Sequence, residues 1–306
     1  MGFLSNHMRA GAAGAGVSYT PTTKGIFAYG RHTADLNMSN LVSSSGVIAS
    51  DTAGVGTARR NVGASSYGID KALFYGGAGA ATSNYVNLVS NTGVVSADSA
   101  GVGTARNGPR GVSYGVDTAI VSSGWNNGAK AFSNLINNLG VLQSDTTLVG
   151  TVKYNYAGVA YGEDKGLFSF GANASTGARY SSSNLVSNVG VIASDTTGVG
   201  TARSGVAGCT YGNDKGIVAY GKTDGGVVSM SNLISNTGVV ASDVTGVGTA
   251  REQAAGCGYG SDKGIMAYGY TVSMSNLITN VGVVGSDVTG VGTARGIGQA
   301  AGYSIT

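Results

Sequence analysis

The chain has 306 residues, of which 54 are Gly, 2 Pro and 2 Cys, and 11% are charged. A net charge of +3, spread evenly with no basic run, excludes a polyanion-binding signature, so no nucleic-acid partner is expected. No apolar run approaches the roughly 18 residues of a bilayer span, so no membrane insertion is expected, and low charge with frequent Val, Ile, Tyr, Thr and Ser favours strands over helices.

In chain order, residues 1–16 come first, as MGFLSNHMRAGAAGAG. They lack an apolar signal core and cleavage region, and Asn6 stands where a myristoylation pattern needs Ser or Thr. Phe3, Leu4 and Met8 before a Gly/Ala tract read as a short terminal arm, leaving residues 17–306 as one domain. That domain is repetitive. The basic residue closing GVGTAR falls at Arg59, Arg106, Lys153 (in LVGTVK), Arg203, Arg251 and Arg295, at intervals of 47, 47, 50, 48 and 44.

The best-preserved unit holds four extended segments. Segment A is GVAGCTYG (205–212), small residues ending in Tyr-Gly. A turn at Asn213-Asp214-Lys215 leads into segment B, GIVAYG (216–221), and reads as a hairpin because Asn and Asp cap their own backbone there. Segment C is SNLISN (231–236) and segment D is GVVASD (238–243); GVGTAR then returns the chain to the next A. Four short strands with a period in the forties indicate a β-propeller blade, with the small residues of segment A suited to the crowded inner position. Six copies of B, C and D predict an all-β fold: a single six-bladed β-propeller, four antiparallel strands per blade. Segment A occurs a seventh time. The C-terminal copy (300–305) is expected to pair with residues 24–30 so that terminal strands close the ring, and the N-terminal copy (15–19) to lead away.

The unit R-S-G-V-A-G-C-T-Y-G, G-I-V-A-Y-G, S-N-L, T-A-R resembles the kelch repeat of galactose-oxidase-like propellers over residues 17–306. Kelch units end strand B in Gly-Gly and carry a Trp before the final Arg; here only Gly76-Gly77 does the former and no repeat the latter. The resemblance therefore implies architecture and no chemistry. The opening FLSNHMRAGAAGAG is similar to the leader of tail-fibre and other structural proteins of tailed phages. It implies that Phe3, Leu4, Met8 and Arg9 dock onto another virion protein, in a particle assembled in the host cytoplasm and then extracellular.

Of the 15 acids, 11 occupy repeat positions: Asp51, Asp98, Asp145, Asp195, Asp243 and Asp287 close segment D, and Asp70, Asp117, Asp164, Asp214 and Asp262 sit in the A–B turns. A carboxylate in every repeat reads as a turn cap or inter-blade partner rather than a catalyst. Asp35, Glu163, Asp224 and Glu252 remain, scattered. His7 and His32 cannot build a His-based triad or a multi-His metal site, so no catalytic residue, metal or cofactor is assigned. The repeated arginines are expected to bind backbone carbonyls or the consensus Asp of an adjacent blade rather than to ring a ligand. GVGTAR is no phosphate loop, because a Gly-rich strand follows it instead of a helix. Cys209 and Cys257, matched positions of neighbouring repeats, are expected to be small buried thiols.

The repeats differ most in their B–C loops, which run from 5 to 11 residues. These loops share a face with variable D–A residues, among them Arg60, Asn61, Asn107, Arg110, Glu252 and Gln253. Trp125, Asn126, Asn127, Tyr85, Tyr154, Asn155, Arg179, Tyr180, Lys222, Asp224 and Tyr270 are the candidate binding residues, since exposed aromatics with amides and charges suit sugar stacking or a protein contact. The third junction, LVGTVK followed by Tyr154-Asn155-Tyr156, breaks the symmetry and is the first place to seek a contact. The expected function is a non-enzymatic structural or adhesion component of a phage virion, such as a tail fibre. The arm would meet other virion proteins and the loop face a partner or host-surface glycan, and a homo-oligomer is compatible with it. The alternatives are a propeller lectin outside any virion and a degenerate glycan-processing enzyme.

Overall fold

The computed structural model describes residues 19–306. The arm residues Phe3, Leu4, Met8 and Arg9, and the start of the N-terminal segment A copy, lie outside the described residues. Among the described residues the protein is all-β, built from seven small antiparallel sheets and no helix.

Strands β1 (Lys24–Arg31) and β2 (Asp35–Val42) form the first hairpin. The second sheet runs β3 (Gly63–Tyr67), β4 (Lys71–Tyr75), β5 (Tyr85–Val89) and the two-residue β6 (Ser99–Ala100). The third repeats it with β7 (Arg110–Tyr114), β8 (Thr118–Ser122), β9 (Phe132–Ile136) and β10 (Thr146–Thr147). The fourth has β11 (Ala157–Tyr161), β12 (Lys165–Ser169) and β13 (Ser183–Val186). The fifth joins β14 (Ala207–Tyr211), β15 (Lys215–Ala219) and β18 (Ser231–Ile234), while β16 (Lys222–Thr223) and β17 (Gly226–Val227) make a hairpin of their own inside its B–C loop. The sixth has β19 (Ala255–Tyr259), β20 (Lys263–Gly269) and β21 (Val272–Ile278). The last strand, β22 (Gln299–Tyr303), pairs antiparallel with β1, from Lys24↔Tyr303 to Ala28↔Gln299, as expected of the C-terminal copy of segment A.

Segment D departs from expectation. No strand lies within it: the two-residue β6 and β10 fall just after their Asp, and D itself makes only isolated bridges such as Val42↔Ile48 and Val186↔Ile192. The reason lies in segment C. Asn40 Nδ2 donates to Ala49 O and to Asp51 Oδ1, both at 2.9 Å, so a side-chain amide replaces part of the backbone ladder. The equivalent asparagine does the same in each of the six repeats, as Asn232 does with Ala241 O and Asp243.

The core lies between sheets. One buried cluster joins Cys209, Tyr211 and Ile217 of the fifth sheet to Met266 and Ile278 of the sixth, and another joins Ile26 and Tyr29 of the first to Phe74 and Val89 of the second. Segment B strands are buried along nearly their whole length because a neighbouring sheet covers each face. Close approach needs the glycine opening segment B. A Cβ on Gly264 would collide with Cys209 Sγ, and one on Gly25 with Cys257 Sγ. Both cysteines are free and buried as expected, and burial pushes the Cys257 thiol up to about 12.

Successive segment A strands lie side by side: β3 against β7, β7 against β11, β11 against β14, β14 against β19, β19 against β22 and β22 against β3. Backbone bonds of 2.7–2.8 Å link each A–B turn to the next sheet, from Gly68 N–H to Asp117 O through Gly212 N–H to Asp262 O. At the first sheet the chain ends take the place of that turn. Gly260 donates to Thr23 O, Ser304 donates to Asp70 O, and Thr23 N–H bonds Ser304 O, all at 2.8 Å.

Candidate functional site

The repeated junction is a latch rather than a ligand loop. Thr57 donates to Asp98 Oδ2 from its N–H at 2.8 Å and from Oγ1 at 2.7 Å. Arg59 donates through Nη1 to Asp98 Oδ1 at 2.9 Å and through Nη2 to Asn87 Oδ1 at 2.5 Å. The same set recurs at Thr104/Arg106 with Asp145/Asn134, Thr201/Arg203 with Asp243/Asn232, and Thr249/Arg251 with Asp287/Asn276. The last latch crosses the whole chain, from Thr293 to Asp51 and from Arg295 to Asn40. All five arginines are buried, so the expectation that they bind carbonyls or a consensus Asp holds. Burial alone would raise the Asp98 carboxyl, but hydrogen bonds from Thr57, Asn87 and Arg59 outweigh it and hold the group at about 2. The segment C asparagine at the centre of each latch was not singled out by sequence reasoning; its occurrence in all six repeats was the available signal.

Each arginine also lies against an aromatic ring at the end of segment B: Arg203 over Phe170 at 4.1 Å, Arg251 over Tyr220 at 3.8 Å, Arg295 over Tyr268 at 4.1 Å. Those ring residues have φ of 59°, 63° and 66°, a left-handed kink that turns the side chain toward the junction. The seam between the third and fourth sheets lacks both halves. Ser123 replaces the aromatic residue and Lys153 the arginine. Tyr156 fills the gap from the junction itself: its ring packs edge-on against Phe168 at 5.7 Å, and its hydroxyl donates to Ser122 O. Lys153 is 2% exposed, with Nζ donating to Asn184 Oδ1 at 2.8 Å and Ser182 O at 3.0 Å. Burial lowers its ammonium to about 8, against a weaker upward pull from Asp195. Beside it a cavity of about 170 Å³ opens, lined by Gly124, Ala129, Lys153, Tyr154, Asn173 and Ser175 among others.

The other candidate residues are distributed around the loop end instead of converging. Bridges Arg60↔Ala78, Asn107↔Trp125 and Tyr154↔Ala172 place junctions and B–C loops together there. Trp125 is half-buried, held through its backbone by Asn107, and Asn126 Nδ2 donates to Ala105 O while Asn127 is exposed. The hydroxyl of Tyr154 is 2.5 Å from Asn61 Nδ2, and the Tyr154 ring covers Gly108, where a Cβ would collide with it. Arg179 pairs with Asp224 of the next sheet's loop, Lys222 with Glu252 at 3.8 Å, and Arg60 with Asp35 at 2.8 Å. Three of the four non-repeat acids thus clamp adjacent sheets. Tyr180 is half-buried, and Tyr270 is 60% exposed at the β20–β21 turn. Tyr85 stands at the loop's edge: it opens β5, paired with Ala100, and remains exposed, with Arg59 5.7 Å from its ring.

Just after the junction arginine or lysine, Asn61, Gly108, Asn155, Gly205, Gln253 and Ile297 all adopt φ between 50° and 70°. Their backbones bond head to tail: Asn61 N–H to Ile297 O, Ile297 to Gln253, Gln253 to Gly205, Gly205 to Asn155, and Gly108 to Asn61, at 2.7–3.2 Å. The link from Asn155 to Gly108 is not made, again at the third junction. Beneath lie two cavities of about 30 and 120 Å³, each lined by all six segment A strands. The larger is also lined by Tyr19, Thr20, Pro21 and Thr22, and the Tyr19 hydroxyl donates to Asn213 O at 3.0 Å. The described end of the N-terminal copy therefore crosses the turn end of the cavity instead of leading directly away.

A scan of known protein families finds no match to this chain, and neither does a search of curated proteins.

Proposed function

We propose that the chain is a six-bladed β-propeller acting as a non-enzymatic binding module of a phage virion. Residues 1–16 would attach it to another virion protein and the loop end would meet a partner or host-surface glycan. The propeller reading is supported by the succession of segment A strands, which ends with β22 against β3, and by the latch from Thr293 and Arg295 to Asp51 and Asn40. The observation that carries the binding role is the opposition of two ends. The chain enters at the A–B turns, where Tyr19 reaches Asn213 O, while the non-repeat aromatics, amides and charges stand at the B–C loops. A module tethered from one end and variable at the other suits attachment plus recognition. The leader's likeness to phage tail proteins, which rests on residues 3–16, supplies the virion context.

The test uses purified particles of the phage encoding the chain. Antibody against the full chain should label them, and the paired substitutions Phe3→Asp and Leu4→Asp should strip the protein from particles without unfolding it. Particles that contain no copy of the chain would overturn the virion role.

A further inference from the structure

Arg110 departs from its position's pattern. The other residues opening segment A strands are Gly63, Ala157, Ala207, Ala255 and Gln299, four of them small because the strands converge there. Arg110 is 5% exposed, yet it makes no ion pair among the described residues. The five buried latch arginines differ: each has a carboxylate within 2.9–3.9 Å. Arg110 has only neutral partners. Nε donates to Tyr156 O at 3.0 Å, and Nη1 to Pro109 O at 2.9 Å and Val62 O at 3.5 Å. A buried cation without a counter-charge is unfavourable by several kcal/mol even when carbonyls satisfy its protons.

Arg110 also lines the smaller cavity, about 30 Å³, whose other lining residues are Gly and Ala with Tyr156, Val206 and Gln299. No acid lines it. The amide oxygens of Asn61, Asn155 and Gln253, buried without donors nearby, do not line it either. We propose that this cavity binds one small inorganic anion of halide size, with the Arg110 guanidinium as its counter-charge. The volume sets the class, since about 30 Å³ accommodates one or two water-sized bodies and no sugar acid or phosphate ester. Positive charge beside an acid-free space is what a halide needs in place of its hydration shell.

The test does not depend on any virion role. Crystals of the full chain are soaked in sodium bromide and anomalous differences are measured at the bromine edge. A single peak in contact with the Arg110 guanidinium is expected; water-like density with no anomalous signal there overturns the proposal. In solution, Tm in sodium bromide should exceed that in sodium gluconate of equal ionic strength by about 3 °C. Arg110→Met should abolish that difference, whereas Arg110→Lys should keep part of it. A halide increment that persists in Arg110→Met places the anion elsewhere and sinks the assignment. If Arg110→Met fails to fold, the bromide soak of the unaltered protein decides alone.

Discussion

The seam at Arg203 and the seam at Lys153 occupy equivalent places and are held together differently. At the first, the Arg203 guanidinium lies 4.1 Å from the Phe170 ring and donates to Asn232 Oδ1 at 2.6 Å and to Tyr220 O at 2.9 Å. At the second, both the arginine and the aromatic residue are missing, and Tyr156 enters from the junction to pack on Phe168. The comparison teaches that arginine and ring are one packing unit. When one half is lost the other has no purpose, so both change together and a third side chain occupies the volume. The replacement is incomplete, which is why a cavity of about 170 Å³ and an unlinked Asn155 appear at that seam.

The comparison can be broken most strongly at the latch. Arg203→Met should lower the free energy of unfolding in urea by about 3 kcal/mol, since Asn232 and Asp243 lose a buried charged partner. Lys153→Met should lower it by only about 1 kcal/mol, because Nζ satisfies fewer groups. Equal losses at the two sites would contradict the distinction. Next, Ser123→Tyr should destabilise by about 2 kcal/mol through collision with Tyr156, and adding Tyr156→Val should recover most of that. An additive double mutant would mean that the two side chains do not share one space.

The third test is acid. The Asp98 carboxyl is held at about 2, below its ordinary 3.8, so its contribution is present above pH 3.8 and is lost as pH falls toward 2. Asp98→Asn should therefore lower stability by about 1.5 kcal/mol at neutral pH and flatten the acid limb of the curve between those values. A variant whose acid limb matches the unaltered protein would show that this carboxylate is not in the latch. The smallest effect is expected at Tyr154→Phe. It removes the bond to Asn61 and should change unfolding by about 0.5 kcal/mol, with faster amide exchange confined to residues around Gly108.

Much of the architecture was legible from local pattern. Tyr-Gly, Asn/Asp-Lys-Gly and the buried B segments announce hairpins, and β14 and β15 pair accordingly, from Ala207↔Ala219 to Tyr211↔Lys215. Segment D was less legible, because nothing local shows that Asn40 would take over bonds a fourth strand would make. The candidate surface was legible only as a face. Arg179 and Asp224 stand 45 residues apart, and no spacing rule predicts their pairing. Tyr85 and Trp125 were chosen for residue type, and the ladder then gave one to a strand and half-buried the other.

The sequence by itself determined what short-range physics controls: the period, the hairpins, and the small residues of segment A that allow close packing. Its GVGTAR also determined a chemistry, one hydroxyl and one cation per repeat, a guanidinium in five and the Lys153 ammonium in the third. What those groups hold was decided by the tertiary structure. Thr293 meets Asp51 across 242 residues only because the sheets stack side by side, and Arg110 comes to line a cavity only because the six segment A strands converge there. Hairpins form between neighbours in the chain, whereas counter-charges and cavities depend on which sheets come to lie together.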